Sequence, residues 1–298
     1  MVKVKKSLSY QTILENSTKN LIKLIDQKLH LIELGKPDNE IEAIGLSRVV
    51  SKLSPIIGNL LEYEVASKLN SLGNLPKNTK WLRQDPGFPD TVLDGFKGIT
   101  PGIEIKTWFP LATEITARFR ETQTNLTNNN IHVAVISWLP EKILFGQPKI
   151  IGVWTDNSLS VAKSRDNHYH QPPSYVVLEP GDTSSRTRNL QQTNCLGYKF
   201  QGNDKELINA TNDIQTILKN NIKYSTDNEY QKQLKELTSK YEYRLDTNFA
   251  KIDRIEHKSL EDFKQKILKK KIHGKTIETW SKKLSNGDIE TIKEILEL

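Results

Sequence analysis

Cysteine is almost missing from this chain: Cys195 is the single one in 298 residues. One thiol excludes an internal disulfide framework and any cysteine-rich zinc site, so a reducing cytoplasm is the expected compartment. Long apolar runs are missing as well. No uninterrupted stretch of about 18 apolar residues occurs, so no membrane span is expected. The opening MVKVKKSLSYQTILEN is basic but has no apolar run behind it, which argues against a signal peptide. Internal repeats and long low-complexity tracts are lacking, and proline disappears from Gly202 onward.

Basic charge is what the chain does have. Lys and Arg number 43 against 36 Asp and Glu, a formal net charge of +7 with a pI near 9.2. That balance suits a partner made of phosphate. A hydrophobic fraction of 36% is enough for a core, and the length holds one large domain or a catalytic domain with an appended module.

Apolar spacing predicts an amphipathic helix over 10–35, closed by Pro37 and Asp38, and a second from about Ile56 to Leu72, stopped by Gly73. Residues 73–90 read as a loop rich in proline and glycine. Alternating segments follow: DTVLDGF, GIEIKTWF, IHVAVISWL, KIIGVWT and SYVVLEP. The first two are separated by a Gly/Pro turn and suggest a hairpin. A helix over about 113–126 is expected before the third strand, and SLSVAKSRD separates the fourth from the fifth. Beyond 202, dense Lys and Glu with apolar residues at helical intervals predict a set of helices. The expected organisation is an N-terminal helical region over 1–49, an α/β (α+β) catalytic domain over 50–202, and a basic, mostly helical region over 203–298.

The segment GITPGIEIKTWFP places Glu104 and Lys106 on one face of a strand whose other positions want a core. The preceding loop ends in Phe88-Pro89-Asp90, and thirteen residues separate Asp90 from Glu104. A hairpin would set Asp90 beside Glu104 and Lys106, since paired strands lie about 4.8 Å apart. Two carboxylates so close repel unless a cation sits between them. Mg²⁺ suits such a pair because it takes oxygen ligands and is held by one or two carboxylates plus substrate phosphates. Lys106 would then position the attacking water and stabilise developing negative charge. On the preceding helix Leu61, Val65 and Leu69 share a face that Glu62 borders, so a third carboxylate can reach toward the hairpin; the blander reading is a solvated helical glutamate.

Gly58-x-Leu60-Leu61-Glu62, the acid after a Pro-rich loop, and Gly102-Ile103-Glu104-Ile105-Lys106-Thr107 resemble the PD-(D/E)xK nucleases. The likeness is to the MutH-like branch that includes type II restriction endonucleases, and it extends over about 50–202. It includes the later segments VISWLP, IGVW, YVVLEP and GYKF. The resemblance implies a restriction-endonuclease-like core: a central mixed β-sheet flanked by helices, with helical N- and C-terminal regions. It makes Asp90, Glu104 and Lys106 the catalytic triad and Glu62 the helix carboxylate near the metal. It further implies Mg²⁺ as cofactor, with Mn²⁺ able to substitute, and double-stranded DNA as substrate. A homodimer acting at a short site and a cognate DNA methyltransferase in the same system complete the expectation. Two departures stand out. The stretch between Asp90 and Glu104 is longer than in the mismatch-repair nicking endonuclease of that branch, and it holds a second acid, Asp94.

The polar stretch 182–194 carries Arg186, Arg188, Asn189, Gln191 and Gln192, side-chain types that read base edges in the major groove, although a surface loop has a similar composition. Lys199 beyond it is a further candidate DNA contact. A basic run placed on a helix includes Lys269, Lys270 and Lys271, suited to phosphate or simply to a solvated face. His168-Tyr169-His170 lacks a third ligand and is expected to be structural or exposed. Three readings follow: a restriction endonuclease cutting both strands, a strand-nicking repair endonuclease, and a non-enzymatic basic nucleic-acid-binding protein. The third gives no reason for Asp90, Glu104, Lys106 and Glu62 to converge.

Overall fold

The computed structural model describes residues 9–71, 75–84, 87–180, 194–218 and 223–298. The chain divides into two compact units, each discontinuous in sequence: residues 1–117, 129–157 and 258–298 form the first, residues 118–128 and 158–257 the second. The unit boundaries therefore fall elsewhere than at 49/50 and 202/203, and the C-terminal region is shared between both units.

The first unit is built on a five-stranded mixed sheet in the order β1-β2-β3-β4-β5, formed by β1 (Lys80–Arg83), β2 (Thr91–Asp94), β3 (Gly102–Trp108), β4 (Ile131–Lys142) and β5 (Phe145–Asn157). All neighbours are antiparallel except β3 and β4. Residues Val133 to Pro140 of β4 are buried without a break, as befits a strand covered on both faces. Helices α1 (Tyr10–Asn20), α2 (Glu40–Val49) and α3 (Ser54–Ser71) lie in this unit. α3 packs Ile57, Leu61, Val65 and Leu69 inward, the stripe expected of a period of 3.6.

The second unit holds α4 (Ser158–Tyr169), then a three-stranded antiparallel sheet of β6 (Tyr175–Leu178), β7 (Leu196–Phe200) and β8 (Tyr243–Leu245), with α5 (Asp204–Leu218) and α6 (Asn228–Lys240). Its core joins Val176, Leu178, Ala210, Ile214, Tyr230, Leu234 and Leu237. The chain then returns to the first unit through α7 (Lys258–Leu268), a short hairpin of β9 (Lys271–Ile272) and β10 (Lys275–Thr276), and α8 (Ile277–Ser285) and α9 (Ile289–Leu296). Among the described residues no helix is long and apolar enough to cross a membrane.

Four expectations change. The helix over 10–35 stops at Asn20, and a 3-10 turn carries it to Leu24. Asp26 adopts a left-handed φ of 69°, and the following segment runs extended along the β5 edge, with Leu29 N donating to Pro148 O and Ile150 N to Gln27 O. Covering that edge satisfies backbone groups that a continued helix would leave open. The helix over 113–126 does not form. Ile115, Phe119 and Leu126 are buried at helix-like spacing, yet Thr113 sits at φ 58° and the chain bridges Arg118 to Lys251 and Glu121 to Asn194. The loop 73–90 contains β1. The basic run 269–271 lies beyond the end of α7, at the start of a hairpin rather than on a helix.

Candidate functional site

Register brings the predicted acids together. β2 and β3 pair Thr91 with Ile103 and Val92 with Gly102, so the next position out sets Asp90 across from Glu104. Gly102 allows this approach, because a Cβ there would stand 2.3 Å from Pro89 Cγ. The backbone N–H of Asp90 donates to Glu104 Oε2 at 3.2 Å, and the N–H of Ile105 donates to Asp90 Oδ2 at 2.6 Å. Lys106 Nζ donates to Glu104 Oε1 and lies 3.9 Å from Asp90 Oδ2. Glu104 and Lys106 thus share one face of β3, as alternation requires.

Electrostatics at this cluster are unbalanced. Burial pushes the Glu104 carboxyl up to about 7, opposed by the charge of Lys106 and reinforced by that of Asp90. Burial alone would discharge Lys106, but Glu104 and Asp90 outweigh it and hold the ammonium above its ordinary range. Lys106 therefore stays charged and acts as a donor, not as a base.

Glu62 projects from α3 toward the same place without joining the pair. Its carboxylate is held by Arg83 of β1, with Nε donating at 2.7 Å, while Arg83 Nη2 reaches Asn59 Oδ1 at 2.8 Å. Burial raises its pKa against that bond, and the neighbouring charges of Asp90 and Lys106 also reach it. Sequence reasoning missed Arg83, whose only signal was the Trp81-x-Arg83 alternation inside a segment taken as loop. Glu62, Lys106, Gly58, Lys52 and Thr107 line a cavity of about 560 Å³. Asp94 is exposed at the far end of β2, opposite Lys80, away from this cavity.

Among the described residues, one group of three metal-capable side chains has all its ligand atoms within 4.8 Å: Asp166, Glu179 and Cys195 of the second unit. Its chemistry points to an internal network. Arg165, fully buried, holds both oxygens of Asp166 at 2.7 and 3.0 Å, and Gln123 Nε2 donates to Oδ2 at 2.7 Å. Tyr224 donates to Glu179, and burial keeps the Cys195 thiol well above its ordinary pKa, hence protonated. No signal in the sequence foretold this group.

His170 is structural. Its Nδ1 accepts from Val177 N–H at 3.3 Å, its Nε2 bonds the Tyr230 hydroxyl, and burial lowers its pKa to about 4. His168 pairs with Glu256 at 3.1 Å. Lys199 is exposed on β7, and Lys269 and Lys271 are exposed on the first unit, but Lys270 donates to Ile151 O at 2.9 Å. Arg186, Arg188, Asn189, Gln191 and Gln192 lie outside the described residues. No protein-family model matches the chain, and neither does a curated protein or a solved structure.

Proposed function

We propose that this protein is a divalent-metal-dependent DNA endonuclease with a restriction-endonuclease-like core, acting on both strands of a short duplex site. The convergence of Asp90, Glu104 and Lys106 on one hairpin, beside a cavity that Glu62 also lines, carries this reading. The donor set fits Mg²⁺, with Mn²⁺ able to substitute: it consists of carboxylate oxygens, with no thiolate or imidazole to favour a softer ion. Burial raises the Glu104 carboxyl to about 7, with the Asp90 charge adding to it, so a bound cation would favour its ionised form. When bound, such an ion supplies Lewis acidity and a more acidic water.

Asp90 and Glu104 would hold the ion, with Glu62 at its border. Asp90 is kept in place by the Ile105 N–H through one oxygen, which leaves the other for a ligand. Lys106 donates to the phosphate oxygens as charge builds during attack of water on phosphorus, and its raised pKa keeps that charge in place. A palindromic site calls for a two-fold protein, so a homodimer is the active form on DNA. Its own genome would then need a partner methyltransferase.

The test is incubation with supercoiled plasmid and phage DNA in Mg²⁺. Discrete linear fragments are expected, with none in excess EDTA. An open-circle product alone would favour the strand-nicking reading, and cleavage undiminished by EDTA would remove the metal-dependent one.

A further inference from the structure

Ser54, Gly58 and Glu62 recur every fourth residue and so line one face of α3. That face borders the same cavity as Lys106, with Lys52 at its exposed rim. The volume, about 560 Å³, lies in the range of binding clefts, roughly 300–1,000 Å³. Two ammonium groups and several hydroxyls on its walls suit an anionic, hydrogen-bonding occupant.

Gly58 stands in the middle of this wall without an internal reason to be glycine. Its backbone is ordinary helix, with no positive φ. A Cβ added there would meet only Thr107 Cγ2 and Oγ1, both at 3.7 Å, which is ordinary van der Waals contact. Packing of α3 on β3 thus tolerates alanine. Helix propensity prefers it, because glycine is the poorest helix former after proline. The helix therefore carries a destabilising residue, and the space it preserves opens into the cavity.

Resting on the nuclease reading, we propose that Gly58 is a clearance position for substrate. Its missing side chain leaves the room in which the sugar–phosphate backbone beside the scissile phosphate runs against α3, with Lys52 facing the neighbouring phosphate. Closing this room should harm DNA engagement while helping the fold, a combination that a packing glycine cannot produce.

The experiment compares wild type, Gly58→Ala, Gly58→Leu and Gly45→Ala in the full chain, using plasmid DNA with Mg²⁺ for cleavage and with Ca²⁺ for binding. Gly45 is the control: it lies on α2, outside the cavity, and a Cβ there meets nothing within 4 Å. Both alanine variants should melt about 2 °C or more above wild type. Gly45→Ala should cleave as wild type does. Gly58→Ala should lose cleavage at least tenfold, and Gly58→Leu should also lose binding in Ca²⁺. Wild-type cleavage by a folded Gly58→Ala protein would overturn the proposal alone. So would a lowered melting point or failure to fold, which would make the glycine structural. Absence of cleavage by the wild type would instead sink the nuclease reading, and this inference with it.

Discussion

Asp90 and Asp94 differ by four positions, and the hairpin gives them opposite fates. Asp90 faces Glu104 and caps the Ile105 N–H, whereas Asp94 is exposed at the far end of β2. On the proposed nuclease reading, Asp90→Ala should abolish cleavage while leaving duplex binding in Ca²⁺ within about tenfold, because there the residue would serve chemistry rather than docking. Asp94→Ala should keep substantial activity; the reverse pattern in a plasmid assay would mean that the metal ligand is misassigned. Glu104 yields a pH prediction. Its pKa is raised from 4.5 to about 7, so the folded protein holds a proton that the unfolded chain has already released in that window. Stability should consequently fall as pH rises from about 4.5 to about 7. Glu104→Gln lacks that titration and should gain on wild type between pH 5 and pH 8 in urea unfolding with EDTA present. Adding Ca²⁺ at pH 8 should raise the wild-type melting point more than the variant's. The three acidic and basic residues of this hairpin were legible beforehand because a period of two and a short turn leave few alternatives. Arg83 was not, since the Trp81-x-Arg83 alternation is too short to mark a strand between two proline-rich turns.

At the scale of elements, long-range pairing decided what local pattern could not. Apolar residues at 21, 24, 25 and 29 fit a helix, yet the edge of β5 captured the segment after Asp26 as an extended arm. Ile115, Phe119 and Leu126 mimic helical spacing, but Thr113, Thr116, Thr122 and Thr124 are poor helix formers, and bridges to 251 and 194 hold the chain open. By contrast α3 and the strands β2 to β6 carry their own caps, turns or alternation, and these were readable. Two side chains tie β1 to α3: Asn70 donates to Trp81 O at 2.8 Å and accepts from Trp81 N–H at 2.7 Å, and Arg83 adds a guanidinium. Arg83 bonds Glu62 and Asn59, with 30% of its side chain and 18% of that of Glu62 exposed. Arg83→Gln should therefore destabilise the protein by roughly 1.5–3 kcal/mol, the range for a hydrogen bond to a charged partner. Urea titration measures it. A loss indistinguishable from zero would mean that solvent replaces the guanidinium freely at Glu62.

Across the whole molecule, the division into units escaped linear reading because residues 158–257 are inserted between β5 and α7, and α7 to α9 return to the unit that holds Asp90 and Glu104. Composition shifts near 202 mark a change of secondary structure, not the end of a folded unit. The net charge of +7 is likewise a property of the whole chain, and which lysines the proposed DNA substrate would meet depends on what already holds them. Lys269, Lys270 and Lys271 are adjacent in sequence, but only Lys269 and Lys271 are exposed. Lys270 is half-buried with its ammonium on the Ile151 carbonyl, where it braces the hairpin entry against β5. Each lysine that meets a phosphate should contribute about 0.9 to the slope of log affinity against log salt. Replacing Lys269 and Lys271 by Gln should weaken binding to cognate and scrambled duplexes alike and flatten that slope by just under two. Lys270→Met should instead lower the melting temperature and leave the slope where it was, since a lysine already bonded to the backbone releases no counterion from DNA. Titrations at two salt concentrations, paired with melting curves, measure both. A flattened slope for Lys270→Met with an unchanged melt would show that its ammonium leaves Ile151 for phosphate.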